Sequence, residues 1–267
     1  MSRRIRKTGL VSQGIDFGTP GWKNIVDFNF ASMANQSLTD GQENTVGGQT
    51  FWLDGLSGTG TCAIVNGTGM NFSFPNQSGQ FCVLLWKGVD HPKIDGSWPR
   101  FRIVAAWDNI VYSQNSDSVG LWACGLPYAG TQKVPLLKYQ YKRNNASTFV
   151  LKPAIRKGNL DTNGSDVTAT DISTGEVDNL VMECREGAGG MWFYCADEGT
   201  TTILPAGAHT VVGSGLVGQG SCATGTNTYW DEGSNNSGPY LGVMLRSNSN
   251  GSQAATLTRL VIQEYKA

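Results

Sequence analysis

Histidine is nearly missing from this chain: 267 residues contain only His91 and His209. Histidine is the side chain whose charge changes near neutral pH, so general acid–base chemistry has little to work with. His91 precedes Pro92 in a turn and His209 opens a short apolar stretch, and neither has a catalytic setting. Also absent are a Gly-x-Ser-x-Gly elbow, a His-Glu-x-x-His helix, a phosphate-binding loop and a Cys–His dyad, which leaves nucleophilic and metallohydrolase mechanisms without residues. Charge is sparse as well, at 15% of residues with a net charge of -1. A dedicated nucleic-acid binder needs a basic excess to displace counterions, so a direct nucleic-acid role is not expected. No apolar run reaches membrane-spanning length, and Leu10-Val11 is followed at once by Ser12-Gln13-Gly14. The expectation is therefore no secretory signal, synthesis in a cytoplasm and no membrane insertion.

Cysteine spacing is uninformative. Cys62, Cys82, Cys124, Cys184, Cys195 and Cys222 include no zinc-knuckle or redox pair, and buried free thiols are the expected state. Cys184 and Cys195 flank an expected hairpin turn at Glu186–Gly190 and are the one pair placed to approach across two strands. No metal and no cofactor is expected. Asp161-Thr162-Asn163-Gly164-Ser165-Asp166 has alternate oxygen ligands, but its glycine comes too early for a helical calcium loop and no bidentate Glu follows, so it reads as an Asx-rich turn.

What the chain has is strands. Asn24–Ala31 alternates, placing Val26, Phe28 and Phe30 on one face and Asp27 and Asn29 on the other. Further strands are expected at 49–53, 61–65, 70–74, 80–86, 101–107, 119–124, 136–141, 148–151, 179–184, 191–195, 208–212 and 240–246, with a last run over 256–265. Asn66-Gly67, Ser78-Gly79, Asp95-Gly96, Asn163-Gly164 and Asn250-Gly251 punctuate them. The polar stretch Ser32–Gly48 reads as connection, and the glycine-rich segment Gly213–Gly238 as a long loop, functional or ordered by a partner. Many short strands without a helix indicate an all-β jelly-roll sandwich. Residues 1–22 lack periodicity and read as an extended basic arm carrying Arg3, Arg4, Arg6 and Lys7, with residues 23–267 as one β-sandwich domain. Between Asp117 and Asp161 no acid occurs, while Lys133, Lys138, Lys142, Arg143, Lys152, Arg156 and Lys157 do. The ordinary reading is a solvated sheet edge whose lysines block aggregation; the sharper one is a patch that docks on an acidic surface.

Two site chemistries remain open. β-Sandwich glycosidases space carboxylates two residues apart along one strand face, and Glu176-Val177-Asp178-Asn179-Leu180 approaches this, but leucine occupies the third acidic position. Stacking of aromatic rings on sugars is the other, with Trp98, Tyr128 and Trp230 in expected loops as carbohydrate-binding candidates. Trp86, Trp107, Trp122 and Trp192 lie in apolar strand runs, where they fill a core.

The segments Gly21–Phe30, Gln36–Gly41 and Val46–Trp52, together with the terminal Leu260–Glu264 strand, resemble the concanavalin A-like lectin/glucanase sandwiches of tailed-phage structural proteins. The resemblance implies a terminal strand that pairs back near the first one. It also implies a virion component, namely a capsid decoration, fibre or tail-attached protein held by its N-terminal arm to other virion proteins. Such a component is expected to be non-enzymatic and a homo-oligomer, trimers being common at threefold positions. The alternatives are a lectin-like receptor-binding module for a host surface glycan and a glycosidase of the same fold.

Overall fold

The computed structural model describes residues 22–56, 59–74, 80–87, 101–124, 137–145, 148–157, 160–163, 167–168, 177–185, 190–196, 211–212, 240–247 and 253–265. The arm residues Arg3, Arg4, Arg6 and Lys7 lie outside this set, as do Trp98, Tyr128, Trp230, Glu176 and both histidines. The strands are β1 (Trp22–Asn29), β2 (Gln36–Leu38), β3 (Gln42–Val46), β4 (Gln49–Asp54), β5 (Thr61–Val65), β6 (Gly69–Phe74), β7 (Gln80–Lys87), β8 (Phe101–Val111) and β9 (Ser118–Cys124). They continue as β10 (Leu137–Arg143), β11 (Phe149–Lys157), β12 (Leu160–Asn163), β13 (Val167–Thr168), β14 (Val177–Arg185), β15 (Gly190–Ala196), β16 (Val211–Val212), β17 (Tyr240–Ser247) and β18 (Gln253–Tyr265). A single 3-10 turn, Phe30–Ser32, follows β1.

These strands make two nine-stranded antiparallel sheets. Sheet A runs β16-β15-β14-β8-β18-β6-β5-β2, and sheet B runs β12-β11-β10-β9-β17-β7-β4-β3. This is an all-β jelly-roll sandwich, as the strand grammar requires. The long β18 organises sheet A: β8 pairs along one of its edges, while β6 and β1 share the other, β6 with Gln253–Leu257 and β1 with Arg259–Tyr265. First and last strands are thus hydrogen-bonded neighbours.

One apolar core fills the space between the sheets. It takes Val26, Phe30, Phe72, Ile103, Trp107, Leu180, Leu260 and Ile262 from sheet A and Phe51, Leu84, Trp86, Val119, Leu121, Tyr139, Tyr141, Val243 and Leu245 from sheet B. Burying each large side chain contributes about 1.5–3 kcal/mol. The alternation expected for β1 is present, with Val26 and Phe30 buried and Asp27 exposed. Phe28 bridges the layers, its ring 5.9 Å from that of Phe51. It packs on Gly47 in the two-residue Gly47-Gly48 turn joining β3 to β4, where both glycines have positive φ (55 and 79°).

Four corrections to the sequence reading follow. The polar stretch 32–48 contains β2 and β3, whose only buried residues are Leu38 and Val46. Their order comes from elsewhere: the Asn44 amide accepts from the Thr39 backbone N–H and donates to the Thr39 and Gln42 carbonyls. Asp161, Thr162 and Asn163 lie extended in β12 against β11, so the turn expected over 161–166 does not begin at Asp161. The lysine-rich strands are not an edge, since β10 lies between β9 and β11, and β11 between β10 and both β12 and β13. Finally, Leu180 opposes Cys195 while Cys184 opposes Met191, which sets the two cysteines four rungs apart. That is roughly 13 Å of strand, beyond the ~7 Å Cα limit for a disulfide.

Candidate functional site

Because alternate residues of each strand fill the interior, the intervening ones define the outer faces, and these carry much of the polar and aromatic chemistry of the described residues that the core does not absorb. On sheet A the outward positions include Arg102 of β8, Gln263 and Arg259 of β18, and Asn24 and Asp27 of β1. They are joined in one chain of contacts. Arg102 Nη1 donates to Gln263 Oε1 (3.1 Å), Gln263 Nε2 to Asn24 Oδ1 (2.7 Å), and Asn24 Nδ2 to Asp27 Oδ2 (3.1 Å). Arg259 Nη2 closes the chain on Asp27 Oδ1 at 2.9 Å as an ion pair. Arg102, Gln263 and Arg259 are buried, at 0, 2 and 3% exposure, among the equally buried outward valines Val104, Val181 and Val261. Buried charges persist only when paired and hydrogen-bonded, so this relay fixes the register of β1 on β18.

The outer face of sheet B has a different composition. Val119, Leu121 and Ala123 point inward, so Ser118, Gly120 and Trp122 point out; on β17 the outward set is Tyr240, Gly242, Met244 and Arg246, and on β7 it is Phe81, Val83 and Leu85. Val83, Leu85, Trp122, Tyr240 and Met244 form a second apolar cluster, with Trp52 and Phe81 packed half-buried against it. The rung through its centre reads Lys138, Trp122, Gly242, Leu85, Trp52. Gly242 is required there, since a Cβ would run into the Leu84 carbonyl oxygen, and Gly120 is held likewise by the Tyr139 carbonyl. Phe81 lies 5.2 Å from Trp122, and the Arg246 guanidinium stands 5.4 Å over the Phe81 ring. The adjoining β10 adds Lys138 and Gln140, both buried, with the Gln140 amide donating to Ser118 Oγ at 2.7 Å.

Trp122 is therefore buried, but in this outer cluster and not between the sheets as its apolar strand suggested; Trp86 and Trp107 do lie between them. The outer cluster left a signal in the sequence. Val83-Leu84-Leu85-Trp86 and Tyr240-Leu241-Gly242-Val243-Met244-Leu245 are apolar at both parities, which marks strands buried on both faces. Of the acidic segment near 176–180, Glu176 lies outside the described residues; the β14–β8 register shifts between Val177 and Leu180, and Leu180 is wholly buried in the intersheet core. No group of metal-ligating side chains occurs among the described residues. Burial pushes the Cys62 thiol pKa well up, with Cys82 and Asp40 adding to it, so it is an inert core thiol.

At the rim, Asp117 Oδ2 accepts from Ser113 N (3.0 Å) and Gln114 N (2.8 Å), closing the β8–β9 turn, and Arg143 Nη1 donates to the Tyr112 carbonyl at 2.8 Å. The Tyr112 hydroxyl donates to the Tyr141 carbonyl, and burial raises its pKa, with Tyr141 and Asp117 contributing against the lowering effect of the Val119 N–H. These contacts brace a turn and present nothing outward.

With two sheets of this order packed on one core, solved structures supply the comparison. Lectin II from Ulex europaeus superimposes with a TM-score of 0.52 at 8% identity, covering 91% of this chain and 100% of the lectin. The fold is that of the legume lectins. A GH43 protein, BlXynB of Bacillus licheniformis, gives a TM-score of 0.53 at 12% identity over 90% of this chain, which spans only 39% of that protein. A legume lectin-like domain from Entamoeba histolytica matches at 10% identity and a TM-score of 0.47, over 81% of this chain and 90% of the domain. No family model matches the chain, and no curated protein does. At such identities the likenesses to the Ulex lectin and BlXynB show a shared fold alone, while function belongs to individual side chains.

Proposed function

We propose that this protein is a non-enzymatic component of a tailed-phage particle, a capsid decoration, fibre or tail-attached protein that docks through residues 1–22 and presents its sandwich outward. The observation that carries the reading is the relay Arg102–Gln263–Asn24–Asp27–Arg259, which ties β1, the strand directly after the basic segment, into the middle of sheet A. A pull on the arm is thus borne by the strand ladder of β1 and β18 and not by a loop. The non-enzymatic part of this reading is supported by Leu180, which lies in the core where a carboxylate row would need its third acid. The test is incorporation: particles assembled with the full chain should carry it, and particles assembled with a chain lacking residues 1–21 should not. Equal incorporation of both would end the anchoring idea.

A second reading, recognition of a surface glycan, is favoured by the half-buried Trp52, Phe81 and Arg246 on the outer face of sheet B. Flat rings beside hydrogen-bonding side chains are what sugar faces require. A glycan array probed with the full chain tests it, and no retained glycan would remove it. Turnover of any bound polysaccharide would refute the non-enzymatic assignment.

A further inference from the structure

We propose that Arg246 and Phe81, at the Ser118 end of the outer face of sheet B, recognise a carboxylated glycan, with the carboxylate on the guanidinium and a sugar ring against Phe81. This rests on the glycan-binding reading above and narrows it to one chemical class. Arg246 is oriented by its position 5.4 Å over the Phe81 ring, and Phe81 is in turn held against Trp122. Apart from that ring contact, Arg246 makes no hydrogen bond or ion pair among the described residues, and its Nε is buried with no acceptor. A planar guanidinium held in place by stacking and lacking an anion is prepared to bind a carboxylate through two parallel N–H donors. A neutral sugar would leave that charge uncompensated.

The surroundings favour negative charge over a wider area. Lys142 lies on the same rung as Arg246, with Ser118 between them. Two strand spacings set their backbones about 10 Å apart. The β10–β11 register, with Gln140 opposite Lys152, puts positions 138, 142, 152 and 156 on this same face. Between Asp117 and Asp161 the sequence holds no acidic residue, and Asp161 itself stands opposite Arg156 in the β11–β12 register. An acidic polysaccharide lying on this face would meet Arg246, while Phe81 supplies the ring contact that a bare polyanion does not use.

Isothermal titration of the full chain against polygalacturonate, dextran sulfate and neutral dextran tests this at physiological salt, with thermal melts to confirm that each variant is folded. Polygalacturonate should bind, and Arg246→Gln should weaken it at least tenfold, as loss of a charge-assisted hydrogen-bond pair predicts. Arg246→Lys, which keeps the charge and loses the fork, should recover only part of the affinity. Binding of dextran sulfate as tight as that of polygalacturonate, or affinity unchanged by Arg246→Gln, would overturn the proposal in favour of unspecific charge attraction. Binding of neutral dextran alone would overturn it while leaving glycan recognition standing. No binding here or on the glycan array would remove both.

Discussion

The outer faces of the two sheets are buried at their centres by opposite means. Sheet A covers its centre with valines and runs a hydrogen-bonded relay from Arg102 to Arg259 across three strands. At the centre of the outer face of sheet B lie the buried Trp122, Tyr240 and Met244, and Arg246, which has no ion pair among the described residues, stands at the margin. A buried polar relay favours one register, because a slip would break the bonds that Arg102, Gln263 and Arg259 do make, although Arg102 Nη2 and Arg259 Nε already find no acceptor among the described residues. An apolar cluster stabilises more but tolerates rearrangement. Sheet A is thus suited to fixing the chain's first strand, and sheet B to presenting a surface.

That contrast can be broken by substitution. The largest effect should come from Trp122→Ala, expected to cost about 3–5 kcal/mol in urea unfolding because the outer cluster would lose its central ring. Next is Gly242→Ala, at about 2–3 kcal/mol, since the methyl meets the Leu84 carbonyl of the neighbouring strand. On sheet A, Asp27→Ala should cost about 2 kcal/mol; this is below the usual figure for a broken buried pair because Asp27 is partly open to water. Adding Arg259→Met to Asp27→Ala should return most of that loss, since the stranded charge is removed with its partner. If the double variant were as unstable as Asp27→Ala alone, packing and not the unpaired charge would be the cause. The smallest effect is expected from Asn24→Ala, at about 0.5–1.5 kcal/mol, because it removes only the partly exposed middle link.

Alkaline pH sharpens the comparison from the side of the interior and the rim. The Cys62 and Tyr112 pKa values are both raised in the folded chain. Above the ordinary values of about 8.5 for a thiol and 10 for a phenol, the unfolded chain loses these protons first. Stability should therefore be intact below that range and fall as pH rises through it. Unfolding curves from pH 8 to 11 would check the slope, and Cys62→Ala together with Tyr112→Phe should flatten it.

Much of this fold was legible in the residues, for particular reasons. Thr61–Val65 alternates cleanly and ends at Asn66-Gly67, so β5 and its hairpin follow from local chemistry, with Gly67 at φ 80° and the Thr68 N–H bonded to the Val65 carbonyl. Strands β2 and β3 were not legible, since polar side chains such as Asn44 order them through contacts that only folding creates. The candidate site was legible only as a surplus of aromatic and basic residues. Trp52, Phe81 and Arg246 are remote in the chain, and only the β4–β7–β17 pairing brings them to one face.

By itself the sequence determined the class of the molecule. Period-two alternation and glycine turns lead to a β-sandwich, because those are properties of short segments and of composition. Only the tertiary structure decided which strands lie inside the sheets, that Trp122 faces outward and that Arg246 stacks on Phe81. Those facts depend on pairing between segments far apart in the chain, and local preference carries no information about such partners.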